Sequence, residues 1–444
     1  MSIKLSDSFS YRMLLKFTLP PIAMMIFTSI YGVVDGFFVS NFAGDAEFKA
    51  VNLIMPFLMI VSTVGFMFGT GGTAIVSNTL GEGDKEKANE YFSLFVYVTF
   101  VLGVIFGIVS FIFLRPIASL LGAKGKILDC CVVYGRIYLC AMPFLVLQFL
   151  FQSFFVAAEK PKLGLIVIIA AGVTNMVLDA VLVILLPDDY KLAGAAIATA
   201  LSQVVGGGIP LIYFARKNGS ILRLCKTKLY FKQIFKACTN GSSEFMSNVS
   251  MSLVGMLYNL QLIRYSGDDG VAAYGVMMYV SMIFSAAFIG YSIGTAPVIG
   301  YHNGAGNRRE LKNILEKSLV IIGVGGILMF GFAELLAYPL AKIFVSYSDK
   351  LMQMTVHGFR IFSVAFPFMG YAIFASSFFT ALNDGLTSAL VSFLRTLVFQ
   401  VAAVLTLPLI WHLDGIWISV VVAEAAAVLF SAIFLLAKRK KYGY

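Results

Sequence analysis

The chain has 444 residues, of which 59% are hydrophobic and only 13% charged, and its mean hydropathy is +0.88. A water-soluble domain carries about twice that charged fraction, so the composition excludes an ordinary soluble fold. The net charge of +10 does not indicate a nucleic-acid-binding protein, because no soluble domain with a clustered basic surface is present.

Twelve apolar stretches are long enough to span a bilayer as helices, and their Gly and Pro interruptions argue against the shorter, alternating strands of a barrel. The first stretch has no small-residue cleavage site after a short apolar core, so we interpret it as a retained span rather than a signal peptide. The sequence therefore predicts an all-α integral membrane protein with 12 transmembrane helices. In chain order the spans lie near 14–40, 51–80, 92–113, 131–157, 163–186, 192–214, 238–264, 271–300, 318–344, 355–382, 386–410 and 415–437.

Lysine and arginine are unevenly distributed between the loops on the two sides of the membrane. The loops of one side are short and often acidic, such as "PDDYK", "SGDDG" and "HLDG". The positive-inside rule predicts that the basic side is cytoplasmic, with both termini inside, in a multi-pass protein of the inner (plasma) membrane. The basic stretches are Lys4 to Lys16, Lys85/Lys87, Lys160/Lys162, Arg216 to Lys236, Arg308 to Lys317 and Lys438 to Lys441.

The chain contains an internal repeat. The stretch "FAGDAEFKAVNLIMPFLMIVSTVGFMFGTGGTAIVSNTLGEGDKEK" from Phe42 aligns without a gap with "YSGDDGVAAYGVMMYVSMIFSAAFIGYSIGTAPVIGYHNGAGNRRE" from Tyr265. A second match joins "MPFLVLQFLFQSFFVAAEKPK" from Met142 to "FPFMGYAIFASSFFTALNDGL" from Phe366. The repeats predict two pseudo-symmetric six-helix bundles, residues 1–214 and 238–444, joined by a basic cytoplasmic connector at 215–237. Such symmetry is typical of carriers that work by alternating access.

One carboxylate interrupts the first span, in "SIYGVVDGFF". An Asp near the middle of a membrane helix costs roughly 2.5–3.5 kcal/mol, so a residue such as Asp35 suggests a function. A second acid, Asp179, lies in the fifth span. The repeat places Tyr258 opposite Asp35 and Ala403 opposite Asp179, so neither acid has a counterpart in the second repeat. An acidic pair found in one repeat alone favours function over architecture.

The sequence resembles the multidrug and toxic compound extrusion (MATE) family, in its bacterial DinF/MepA-like branch, from about residue 10 to 437. The stretches that carry the resemblance are "YGVVDGFFVS", "GTGGTAIVSNTLGEGDKEKA", "TNMVLDAVLV", "GYSIGTAPVIGYHNGAGNRRELK" and "FTALNDGLTSALVSFLRTLVF". The resemblance implies two six-helix bundles, cation-driven efflux, and alternation between outward- and inward-facing states.

The resemblance also implies a cation-coupling site in the N-terminal bundle, formed by Asp35, Asn175 and Asp179, with Thr199 as a further polar position. The four-residue spacing places Asn175 and Asp179 on one helix face. Such oxygens suit Na⁺ at Asp35, Asn175 and Asp179, or a shared proton. The alternative is that each acid only hydrogen-bonds a neighbouring helix.

The C-terminal bundle has three charged residues within its spans, Glu244, Arg395 and Glu424, which we interpret as a substrate or polar site. Other branches of the family use a carboxylate near the position of Glu244, although a solvated Glu at a helix entry would look the same. Arg395 lies roughly nine residues into its helix, about 14 Å, so a partner such as Glu424 or Glu244 is expected. Glu159 and Glu334 are interpreted as membrane-edge charges, and His302, His357 and His412 as packing or loop residues.

The predicted function is a cation-coupled antiporter that exports amphipathic, cationic organic compounds. It requires no cofactor beyond H⁺ or Na⁺, binds membrane lipid and small organic substrates but no nucleic acid, and is monomeric. An enzyme is not indicated, and "GTGGTA" lies inside a span, where close helix packing explains it better than nucleotide binding. The alternative function is a lipid-linked oligosaccharide flippase, whose cavity would need several basic residues to bind phosphate. The five cysteines show no metal-ligand spacing.

Overall fold

The computed structural model describes residues 3–39, 44–187, 190–345 and 348–444. Regular structure in these residues is helical, with no β-strand, which confirms the all-α prediction. A π-helical turn, Leu394–Val398, separates α12 from α13. The helices are α1 (Tyr11–Phe38), α2 (Asp45–Gly81), α3 (Lys85–Leu120), α4 (Gly125–Cys140), α5 (Met142–Ala157), α6 (Pro161–Leu185), α7 (Lys191–Ala215), α8 (Phe231–Gly304), α9 (Arg308–Val345), α10 (Asp349–Ser363), α11 (Phe366–Ala381), α12 (Gly385–Phe393), α13 (Phe399–Thr406) and α14 (Pro408–Tyr442).

Helix length and apolarity account for the predicted spans. Nine helices in the described ranges are long and apolar enough to cross a membrane, or eleven when each of two bent helix pairs counts as one span. The longest, α8, has 74 residues, about 110 Å at 1.5 Å per residue, which is far more than one bilayer crossing. Its backbone breaks at Gly267, with φ +63° and ψ −153°, a conformation open almost only to glycine. Because α8 contains two spans, the described residues supply the predicted twelve.

Two spans are each built from a pair of helices that meet at an angle. The angle is 59° between α4 and α5 and 48° between α10 and α11. In each pair the second helix carries a proline in its first turn, Pro143 or Pro367. Proline has no N–H to continue the hydrogen bonds of the preceding helix, so the chain bends there. The two prolines occupy equivalent places in the second repeated stretch, so the bend is itself repeated.

Glycine brings the N-terminal half (residues 3–215) and the C-terminal half (residues 231–444) into contact where α2 crosses α8. A Cβ atom at Gly81 would collide with the carbonyl oxygen of Tyr301, and one at Gly304 with that of Asn78. Gly81 and Gly304 are equivalent in the repeat. The two backbones therefore touch at a symmetric position, and a larger residue on either side would separate them.

The glycines of the "GTGGTA" stretch of α2 also let neighbouring helices approach closely. A Cβ atom at Gly71 would collide with the carbonyl oxygen of Ala237, and one at Gly72 would come within 2.8 Å of the ring of Phe95. The glycines serve close helix packing, as their place inside a span predicts.

Asparagine side chains link the two halves near this crossing. Asn303 Nδ2 donates to Asn78 Oδ1 at 2.9 Å. Asn240 Nδ2 donates to Asn383 Oδ1 at 2.7 Å, and Asn383 Nδ2 donates to the carbonyl oxygen of Ala74 at 3.4 Å. These bonds lie at the membrane side that also holds residues 216–230, called here the connector end.

The segment before α1 adds a second link between the halves at the connector end. The amide of Leu5 donates to Glu159 Oε1 at 2.7 Å, in the turn between α5 and α6. The amide of Phe9 and the hydroxyl of Ser8 donate to the two carboxylate oxygens of Glu310, at 2.8 and 2.9 Å, at the start of α9. Glu159 is thus more than a membrane-edge charge, because it holds a segment that also binds α9.

Asp384 ties the end of α14 to the start of α12. Its Oδ2 accepts from the Tyr442 hydroxyl at 2.8 Å and from Lys438 Nζ at 3.3 Å. Its Oδ1 accepts from the amide of Thr387 at 3.4 Å and caps α12. Burial raises the pKa of this carboxyl, but the hydrogen bonds from Tyr442, Thr387 and Lys438 outweigh burial and hold the pKa below its usual value.

Ion pairs at the opposite end join elements of the same half. In the C-terminal half His357 Nε2 lies 3.0 Å from Asp414 Oδ1, so this histidine has a partner that its sequence context did not reveal. The other pairs are Arg115–Asp129 at 3.0 Å, Lys126–Glu47 at 2.8 Å, Lys350–Asp269 at 3.5 Å and Arg360–Glu334 at 3.8 Å.

Candidate functional site

Two polar side chains of α6 are buried within the N-terminal half. Asn175 is 1% exposed and Asp179 is fully buried, one helical turn further along the same face. Asn175 Nδ2 lies 3.5 Å from Thr199 Oγ1 on α7, and the Thr199 hydroxyl donates to the carbonyl oxygen of Ala195 at 3.0 Å. An amide, a hydroxyl and a carboxylate are thus gathered inside the helix bundle.

Helix α1 packs directly on this face of α6. A Cβ atom at Gly172 would collide with the ring of Phe27 and would lie 3.1 Å from the ring of Tyr31. Both helices start at the connector end, so they run parallel. Asp35 follows Tyr31 by one turn, and Asp179 follows Gly172 by about two turns. The backbone of α1 at Asp35 is therefore about level with Asp179; the Asp35 side chain lies outside the described part of the structure.

Oxygen atoms dominate this group, which suits a hard cation or a proton. The Oδ1 atom of Asn175 has no hydrogen-bond partner among the described residues. The described side chains contain no group of three or more His, Cys, Asp and Glu residues that could hold a metal ion. An ion bound here would need the Asp35 carboxylate, or backbone and amide oxygens, beside Asp179.

The C-terminal half has a polar centre of a different kind. Arg395 Nε donates to both carboxylate oxygens of Glu424, at 3.1 and 2.9 Å, and the two side chains are 17% and 4% exposed. Arg395 lies in the π-helical turn, a feature that often marks a functional or packing constraint. Of the two partners expected for Arg395, the structure pairs it with Glu424. The guanidinium is therefore neutralised within the bundle.

Tyr258, the residue opposite Asp35 in the repeat, is also placed in this centre. Its hydroxyl donates to Gln400 Oε1 at 2.7 Å, and its ring stacks on that of Tyr274 at 5.3 Å. No sequence pattern pointed to Gln400 itself. The alignment of Tyr258 with Asp35 was the signal that pointed to this position.

Glu244 is separate from Arg395 and lies where the two halves meet. A narrow pocket there is lined by Glu244 and by hydroxyl side chains of both halves. Thr73 Oγ1 and Ser153 Oγ, from the N-terminal half, are buried without a hydrogen-bond partner among the described residues. The pocket therefore offers polar atoms and one carboxylate to a small group entering between the halves. Its remaining lining residues are Thr70, Ile293, Ala296, Ser377 and Thr380.

Known proteins resemble this chain over most of its length. A family model described as MatE matches residues 20–181 and 245–405, one segment in each half. The multidrug export protein MepA of Staphylococcus haemolyticus is 30% identical over 322 residues, which cover 72% of this chain and 70% of the relative. The MepA of Staphylococcus aureus is 24% identical over 423 residues, covering 94% and 92%.

Solved structures share the fold. A structure described as the outward-facing conformation of a multidrug resistance MATE family transporter of the MOP superfamily gives a TM-score of 0.91 at 21% identity, covering 97% of this chain and 96% of the other. A MOP superfamily transporter from Pyrococcus furiosus gives 0.89 at 20% identity, covering 98% of both chains. Since the family model matches most of the chain, and matches both halves, this protein belongs to the MATE family of transporters.

Proposed function

We propose that this protein is a multidrug efflux transporter that exchanges amphipathic organic compounds for a cation by alternating access. Membership in the MATE family and the description of the relatives as multidrug export proteins support this function. The observation that carries the coupling mechanism is the burial of Asn175 and Asp179 on the face of α6 that packs against α1. The electrochemical gradient of the cation supplies the driving force and the site inside the helices couples to it, so the proposed transport cycle needs no cofactor.

The proposed coupling site consists of Asp35, Asn175 and Asp179, with Thr199 orienting the Asn175 amide. Two carboxylates that share a poorly solvated site do not both stay charged without a counter-ion. A proton or Na⁺ therefore neutralises the site, and its entry favours the arrangement of α1 and α6 that binds it better. We favour H⁺, since the sequences of α1, α6 and α7 contain no third acid within the span to complete a Na⁺ cage.

We propose Glu244 as the group that attracts the cationic part of the substrate. It lies between the halves, where an alternating-access carrier holds its substrate, and hydroxyl groups surround it. The flippase alternative loses its main support, because Arg395, the basic residue deepest in a span, is already neutralised by Glu424. An anionic sugar-phosphate would find no free charge there.

Orientation follows from the distribution of basic residues. We propose that the connector end is cytoplasmic, with both termini inside and the protein acting as a monomer in the plasma membrane. The moving units are residues 1–214 and 238–444, joined by the connector at 215–237. The Asn78–Asn303 bond and the glycine crossing close the connector end, which corresponds to an outward-facing state.

Ion-gradient-driven dye transport in liposomes tests the coupling site. Asp35→Asn and Asp179→Asn should each reduce gradient-driven transport to background while leaving expression intact, because the site loses one of the two carboxylates that bind the ion. Asp129→Asn is the matched control, an exposed Asp of the same half that pairs with Arg115, and it should transport normally. Wild-type rates in either Asp35→Asn or Asp179→Asn would remove the assignment.

The same liposomes distinguish the driving ions. A pH gradient alone should drive transport by the wild type, and Na⁺ should slow it by competing for the same oxygens. Transport driven by a Na⁺ gradient alone, without any effect of pH, would overturn the preference for H⁺ and leave the efflux function standing.

A further inference from the structure

Residues 215–237 are strongly basic and form a groove with the start of α3. This segment carries seven Lys and Arg residues and no Asp or Glu. The groove has a volume of about 720 Å³ and opens to the surface at the connector end. Its lining residues are Lys85, Glu86, Asn89, Glu90, Asn218, Ser220, Ile221, Arg223, Cys225 and Lys226.

Side chains of α3 hold the connector in place along this groove. The amide of Arg223 donates to Asn89 Oδ1 at 2.7 Å, and the amide of Cys225 donates to Ser93 Oγ at 2.9 Å. The Tyr97 hydroxyl donates to the carbonyl oxygen of Cys225 at 3.3 Å. The connector backbone is therefore fixed, while the side chains of Arg223 and Lys226 remain exposed at the groove.

One acid of the groove is already engaged. Glu90 accepts a hydrogen bond of 2.6 Å from the Tyr230 hydroxyl. This bond leaves the negative charge of Glu90 in place, so the three basic side chains Lys85, Arg223 and Lys226 are set against two acids, Glu86 and Glu90, and the lining carries a formal charge of +1. This balance suits an anionic group of modest charge, such as one phosphodiester.

An apolar row on α3 begins where the groove ends. Tyr97, which contacts Cys225 of the groove, is the first of five exposed residues spaced three or four apart, which places them on one helix face. This face lies within a candidate membrane span, and in a bilayer an exposed apolar face of a span is solvated by lipid chains. The row consists of Tyr97, Val101, Ile105, Ile108 and Ile112, exposed by 44%, 53%, 47%, 56% and 61%.

The connector also presents apolar side chains between its basic ones. Leu229, Phe231 and Phe235 are exposed by 67%, 73% and 73%, and the basic residues Lys228 and Lys232 lie among them. Exposed aromatic and aliphatic groups mixed with Lys are typical of a segment lying at the membrane surface. The groove is therefore at the depth of lipid headgroups.

We propose that this groove binds an anionic phospholipid, with the phosphodiester headgroup held by Arg223, Lys226 and Lys85 and an acyl chain lying along the apolar row of α3. The lipid bridges α3 and the connector, the only covalent link between the halves. This site is distinct from the ion site on α6 and from the pocket at Glu244, and it requires no particular transported compound.

Binding of phosphatidylglycerol to the purified full-length chain in detergent tests the proposal. The wild type should bind phosphatidylglycerol more tightly than phosphatidylcholine. Its melting temperature should rise with phosphatidylglycerol and not with phosphatidylcholine. Arg223→Gln/Lys226→Gln should weaken phosphatidylglycerol binding about 30-fold, since each basic residue lost should weaken it about fivefold. The control Arg309→Gln/Lys440→Gln removes two exposed basic residues from the same end and should change binding by less than about threefold.

Phosphate compounds without an acyl chain distinguish a lipid-binding site from a site that binds phosphate alone. Glycerol phosphate and inorganic phosphate should not reproduce the melting-temperature rise, because they lack the chain that lies on α3. Equal effects of glycerol phosphate and phosphatidylglycerol would overturn the lipid assignment, as would unchanged binding by the groove variant. If the double variant does not fold, Lys226→Gln alone carries the same test. The readout is binding, so its result does not depend on whether the efflux proposal holds.

Discussion

Breaking the ion pair of Arg395 and Glu424 should strongly destabilise the protein. Both carboxylate oxygens of Glu424 accept from Arg395 Nε, at 2.9 and 3.1 Å, and the carboxylate is only 4% exposed. Removing one partner of a buried pair typically costs about 3–5 kcal/mol, because the other charge is left buried without compensation. Since the Arg395 side chain is 17% exposed, part of its charge can reach solvent. We therefore expect about 2–4 kcal/mol for Glu424→Met and a similar or larger loss for Arg395→Met.

The double variant gives the sharper test. Arg395→Met/Glu424→Met leaves no charge uncompensated, so it should be more stable than either single variant, with a coupling free energy of about 2–3 kcal/mol. The pair of Arg360 and Glu334 is the matched control: its atoms are 3.8 Å apart and its side chains are 61% and 33% exposed. The same substitutions there should cost no more than about 1 kcal/mol.

Thermal and denaturant unfolding of each variant in detergent provides the measurement. Additive losses in the double variant, or equal losses in the Arg395 and Arg360 series, would refute the reasoning. Dye transport by the double variant supplies a second readout. Retained ion dependence is expected, because the proposed coupling site lies in the other half of the chain.

Two further predictions concern the connector end. Gly304→Ala should destabilise the protein by about 1–3 kcal/mol, because its Cβ would collide with the Asn78 carbonyl oxygen. The control Gly255→Ala should leave the melting temperature unchanged, because no atom lies within 4 Å of its Cβ. Equal melting temperatures of the two variants would contradict this prediction. The folded pKa of Asp384 is lowered, so its bond with Tyr442 stabilises the protein above about pH 4 and is lost as pH falls through the folded pKa. At pH 7 the wild type should therefore have a higher melting temperature than Asp384→Asn, and this difference should shrink as the pH falls. A difference that grows in acid would contradict the lowered pKa of Asp384.

The hydrogen bonds that lower the pKa of Asp384 stabilise its charged form, yet the sequence context of Asp384 gave no sign of them. Tyr442 and Lys438 are more than fifty residues away along the chain. The same holds for the bonds of Glu159 and Glu310 to the segment before α1. Contacts of this kind depend on which helix ends meet, and hydropathy carries no such information.

The candidate site was predictable in part. The four-residue spacing of Asn175 and Asp179 is a local property of one helix, and it correctly places both on a buried face. Their nearness to α1 is a tertiary property that depends on how helices pack, and Gly172 permits it by letting the Phe27 ring approach. The role of Thr199 and the ion bound stay predictions.

The sequence by itself determined the membrane class, the twelve spans and the repeat, because each helix must be apolar along its own length to cross a bilayer, and this is a local requirement. The glycines of "GTGGTA" also indicated close helix packing, whereas the bends at the prolines and the crossing at Gly81 and Gly304 were found only in the structure. Only the tertiary structure decided that Arg395 pairs with Glu424 rather than Glu244, that Glu244 faces the other half, and that the connector is fastened to α3 as a groove. These outcomes depend on which faces of separate helices meet in three dimensions, and the choice among them is made by packing between residues far apart in the chain.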